Sequence, residues 1–72
     1  MMYNKKDKNM RNYELICNNS KYTGLDYSCI FISLESAKRF VEEHNCKDEY
    51  ESICVYDYIP FTDEKINKTT IK

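Results

Sequence analysis

Residues 52–60, SICVYDYIP, read as a β-strand that is apolar on both faces, and no other stretch narrows the possible folds as much. Side chains alternate across a strand with period two, so Ile53, Val55 and Ile59 point one way and Cys54, Tyr56 and Tyr58 the other. Pro60 has no N–H to give to a ladder and ends the strand. A helix covers one face of a small sheet. The second face then needs the chain's own loops and tails, or a partner.

The rest of the chain supplies the other elements. YELIC, 13–17, and CIFI, 29–32, are short runs of strand formers. The polar loop NNSKYTGLDYS, 18–28, separates them and holds the only glycine. Ser33 or Ser36 caps a following helix, with Glu35 near the positive end of its dipole. Leu34, Ala37, Phe40, Val41 and His44 recur at helical spacing and form one apolar stripe. KDEYES, 47–52, reads as an acidic loop.

The expected architecture is α+β. It is a small antiparallel or mixed three-stranded sheet (ββαβ) with one helix packed on one face. The third strand is expected beside the first. Residues 12–61 form this domain, 1–11 are a basic N-terminal tail, and 62–72 are a basic C-terminal tail or short helix.

A hairpin symmetric about Thr23 sets Cys17 against Cys29, Leu15 against Phe31 and Tyr13 against Ser33. Ile16 and Ile30 then share the other face. By residue type, Ile53 and Val55 sort with those isoleucines, and Cys54, Tyr56 and Tyr58 with Tyr13, Leu15, Cys17 and Phe31. The helix stripe matches the aliphatic face. That leaves Tyr13, Phe31, Tyr56 and Tyr58 as a candidate contact surface. A one-residue slip would exchange the faces.

Charge is distributed unevenly. Residues 12–64 hold four basic and eleven acidic residues, a net of −7, while 1–11 and 65–72 each carry +3. An acidic body disfavours nucleic acid and favours basic partners. Glu42, Glu43, Asp48, Glu49 and Glu51 run from the helix end through the next loop and are candidate partner-binding residues. The N-terminus has no apolar signal core, and no run approaches the roughly 20 apolar residues of a membrane span. The chain therefore reads as cytoplasmic, where Cys17, Cys29, Cys46 and Cys54 are free thiols.

No catalytic, cofactor or metal site is expected. His44 and Cys46 are the one Cys–His pair close in sequence, but no third group accompanies them. The cysteines lack paired Cys-x-x-Cys knuckles, so a zinc site from Cys17, Cys29 and Cys54 would have to converge across three strands. There is no Gly-rich phosphate loop.

The stretch CIFISLESAKRFVEEH resembles a pattern of small bacterial and phage ββαβ domains of unassigned function. In these a strand ends in a small polar residue, here Ser33, and leads into a helix with Ala, here Ala37, at its first buried turn. With YELIC and ICVYDY the resemblance covers about two-thirds of the chain. Small acidic phage proteins include inhibitors of host defence nucleases, a likeness of size and charge alone. The expected function is a non-enzymatic module that binds another protein or its own copy. A phage or mobile-element inhibitor of a host protein such as a defence nuclease is one form of it. The alternative is single-stranded nucleic-acid binding through the aromatic face and the basic tails.

Overall fold

A computed structural model describes residues 12–59, 62 and 64–72. The basic N-terminal tail expected over 1–11 lies outside the described residues. Among the described residues, four strands and two helices follow in the order β1 (Asn12–Ser20), β2 (Tyr27–Phe31), α1 (Leu34–Glu43), α2 (Cys46–Glu49), β3 (Tyr50–Ile59) and β4 (Glu64–Thr70). The sheet order is β2-β1-β3-β4 and every pairing is antiparallel.

The third strand lies beside the first, as expected. The sheet gains a fourth strand where the sequence suggests a tail or short helix over 62–72. EKINKTT has one large apolar residue, so its side chains announce no buried face; the backbone ladder to β3 holds it. The loop expected at 47–52 instead contains α2, one turn long, and β3 starts at Tyr50.

The β1–β2 hairpin turns on local bonds. Ser20 Oγ accepts from the Tyr22 and Thr23 N–H groups, and the Gly24 N–H donates to the Ser20 carbonyl at 2.7 Å. Gly24 has φ +75°, a conformation glycine adopts without a Cβ clash. Asn19, Asn45 and Asn67 also have positive φ, where asparagine is tolerated. The hairpin register is offset by two residues from the expected one: Cys17 opposes Tyr27, Leu15 opposes Cys29 and Tyr13 opposes Phe31. An even offset keeps each side chain on its expected face.

The third strand does change faces. Val55 opposes Leu15 and Ile53 opposes Cys17, while Tyr56 opposes Glu14 and Cys54 opposes Ile16. Ile53 and Val55 therefore join the Leu15–Cys17 face. Tyr56 and Tyr58 lie on the reverse of the sheet from Tyr13 and Phe31. The expected four-residue aromatic surface does not form, because both faces of β3 are apolar and residue type alone did not fix its register.

Helix α1 packs over β1 and β2, and α2 packs on β3. Leu15, Cys17, Ala37, Val41, Cys46, Ile53 and Val55 are buried together, with Tyr13, Phe31, Leu34, Phe40, Tyr50 and Ile71 around them. The helix thus covers the Leu15–Cys17 face rather than the Ile16–Ile30 face. Each large aliphatic side chain so buried contributes roughly 1.5–3 kcal/mol. Ser33 caps α1 by accepting from the Ser36 N–H at 3.0 Å. Among the described residues no helix is long and apolar enough to cross a membrane.

Candidate functional site

Both described helices lie on one side of the sheet, so among the described residues two surfaces of different character result. The side without helices carries Glu14, Ile16 and Asn18 from β1, Ser28 and Ile30 from β2, and Ser52, Cys54, Tyr56 and Tyr58 from β3. Ile30 is 46% exposed, Ile16, Tyr56 and Tyr58 are half-buried, and Cys54 among them is buried. The 18–28 loop does not fold over this face: Tyr22 and Leu25 are 70% and 68% exposed. A shallow depression of about 250 Å³ is lined by Glu14, Ile16, Asn18, Asp26, Ser28 and Lys65, among others.

Polar groups on this face are largely engaged. Asn18 Nδ2 donates to Ser52 Oγ at 3.2 Å. Lys65 Nζ, from β4, lies 3.1 Å from Glu14 Oε1 but outside hydrogen-bonding directions. Glu14 thus has a neutralising cation beside it, without a donor aimed at that oxygen.

The helix side ends in a second feature. Tyr27 of β2, Phe40 and His44 of α1, Cys46 and Glu49 of α2, and Tyr50 of β3 enclose an open-mouthed cavity of about 420 Å³. The rings of Tyr27 and Phe40 are near-parallel with centroids 5.9 Å apart, and the His44 ring lies 4.3 Å from that of Phe40. Glu49 Oε2 accepts a 2.6 Å bond from Ser20 Oγ, whose residue is buried. The Lys21 N–H donates to the Glu49 carbonyl at 2.9 Å. These two bonds fix the carboxylate against the end of β1.

The other acidic residues singled out from the sequence do not converge on one site. Glu42 pairs with Lys47 at 3.2 Å and Asp48 with Lys21 at 3.4 Å, all exposed, while Glu43 and Glu51 stand in solvent. Tyr13 and Phe31 are packed against the core under α1.

Cys17 and Cys46 are poor nucleophiles where they stand. Cys17 and Cys46 are buried. Burial, reinforced by the Cys46 thiol beside it, pushes the Cys17 thiol up to about 12. Burial likewise raises Cys46. Cys17 opposes Tyr27 rather than Cys29, and Cys54 points to the reverse face, so three strand cysteines do not converge on a metal. All four are free thiols.

The cavity was missed in the sequence because four separate elements build it. The one linear trace is His44-Asn45-Cys46, in which the left-handed Asn45 turns the chain so that both neighbours reach the same hollow. Comparison with family models, with curated proteins and with solved structures finds no match for this chain.

Proposed function

We propose that the chain is a non-enzymatic protein-binding module that docks through the helix-free face of its sheet, and that a second copy of the chain is the partner this face fits. The observation that carries the reading is where the cover lies. Among the described residues both helices are on one side, leaving Ile16, Ile30, Tyr56 and Tyr58 on the other with no described element above them. A contiguous apolar patch bounded by polar groups is typical of docking surfaces, and tyrosine is enriched in them.

Charge favours a like copy. Asp26, just before β2, makes the β2 half of the face acidic. Lys68 on β4, alternating with the inward Thr69, makes the other half basic, while Lys65 is paired with Glu14 of its own chain. A two-fold axis along the strands sets the acidic half of one copy over the basic half of the other. Two sheets stacked about 10 Å apart then bury both apolar patches. Nucleic acid is served less well, because among the described residues two tyrosines share this face and Glu14 neutralises Lys65.

The test is light scattering after size exclusion, on reduced protein across a concentration series. The expected result is twice the single-chain mass, with dissociation raised at least about tenfold by Tyr56→Ala or Tyr58→Ala while the circular dichroism spectrum is kept. A single-chain mass at millimolar concentration, or a dimer indifferent to both substitutions, overturns self-pairing.

A further inference from the structure

The cavity between β2, the two helices and β3 has the composition of a cation receptor. Three aromatic rings, those of Tyr27, Phe40 and Tyr50, line it together with the His44 imidazole. Each ring face carries negative charge density and attracts a cation held within about 6 Å. One carboxylate, Glu49, also lines it. Glu49 Oε2 is held by Ser20 Oγ, and its other oxygen has no hydrogen-bond or ion-pair partner among the described residues. Lys21 and Lys47 are committed to Asp48 and Glu42, and the Lys72 ammonium is held by the Lys47 and Tyr50 carbonyls.

We infer that this cavity binds the guanidinium group of an arginine side chain presented by a polypeptide. Guanidinium is the cation that fits both parts of the lining: its plane stacks on an aromatic ring while its edge gives N–H donors to a carboxylate. A compact ammonium group has no plane to stack and no rigid fork of donors, so it matches this pairing less closely. The wide mouth favours a side chain carried on a larger surface, since sites for free small molecules commonly bury most of their ligand. The acidic surroundings also oppose a free amino acid, whose own carboxylate would enter with it. This site lies on the helix side of the sheet and does not depend on the docking face proposed above.

The experiment is a nuclear magnetic resonance titration of isotope-labelled full chain at neutral pH with three probes. These are a Gly-Arg-Gly peptide with blocked termini, the same peptide with citrulline for arginine, and free arginine. The site predicts saturable millimolar shifts at Tyr27, Phe40, His44 and Tyr50 with the arginine peptide, weaker by about tenfold or more with citrulline, which keeps the shape and loses the charge. Glu49→Gln retains an oxygen for Ser20 Oγ and should weaken arginine binding by about tenfold while leaving the citrulline response unchanged. Equal responses to arginine and citrulline peptides overturn the proposal, as does the absence of shifts at these residues. Tighter binding of free arginine than of the peptide overturns the assignment to a polypeptide. Because the comparison of probes uses the unaltered chain, it decides the matter even if a variant fails to fold.

Discussion

Leu15 and Ile16 are adjacent, similar in size and on opposite faces, so truncating each in turn tests which face the helices cover. Leu15 is fully buried among Cys17, Val41, Ile53 and Val55. Leu15→Ala removes about three carbons at roughly 0.8 kcal/mol each and leaves a cavity, for a loss of about 3 kcal/mol. A domain of this length has a total stability of only roughly 4–11 kcal/mol. The melting temperature should therefore fall by about 12–24 °C. Ile16 is half-buried on the helix-free face, where neighbouring side chains can close around a smaller residue. Ile16→Ala should cost about 1 kcal/mol, or 4–8 °C. Thermal melts by circular dichroism, run dilute enough for a single-chain mass, separate the two. An Ile16→Ala loss equal to or larger than that of Leu15→Ala would place the helices over the wrong face and refute the register described here.

Three further outcomes are expected. Ser33→Ala should cost about 1 kcal/mol in urea unfolding, because the Ser36 N–H loses its acceptor; no change would mean that water caps the helix equally well. Stability should fall at high pH: the unfolded Cys17 thiol ionises near its ordinary 9.0 while the folded one keeps its proton to about 12, so this contribution is full below 9.0 and is lost as pH rises toward 12. The slope should reach about 1.4 kcal/mol per pH unit, and urea midpoints of native and Cys17→Ala chains across that window should converge as it is lost. A double-mutant cycle of Glu14→Gln and Lys65→Met should give a coupling of about 0.5 kcal/mol that shrinks in high salt, and zero coupling in low salt would count against the β4 register.

The legible parts of the fold were those in which side-chain pattern and backbone agree. Leu34, Ala37 and Val41 recur with one period on one stripe, and Ser33 sits one residue before it, so the helix could be read with its cap. YELIC and CIFI kept their faces because the error in their register was an even two residues. ICVYDYI offered two apolar faces of similar weight, and nothing local chose between them. The choice is made by the path through α1, the left-handed Asn45 and α2, which sets where β3 begins. In β4, Lys65, Asn67, Thr69 and Thr70 give no burial signal because an edge strand is held through its backbone. The aromatic cavity was illegible for a different reason: Tyr27, Phe40 and Tyr50 come from three elements and meet only after folding.

The edge position of β4 has a consequence for how the molecule opens. This strand pairs with β3 alone, and most of its residues are exposed. Beyond the ladder it is tied down by Lys65 to Glu14 and by Lys72, whose ammonium donates to the Lys47 and Tyr50 carbonyls at the end of α2. It can therefore peel away in a sub-global fluctuation that leaves Leu15, Val41 and Ile53 packed. Its amides should exchange with deuterium well before those of β1, which is bonded on both sides. While β4 is detached, β3 presents a row of unpaired backbone groups beside Tyr56 and Tyr58, a template for the β4 of a neighbouring molecule. Strand exchange between chains, rather than general unfolding, is thus the route by which this small sheet would first lose its identity as a monomeric unit.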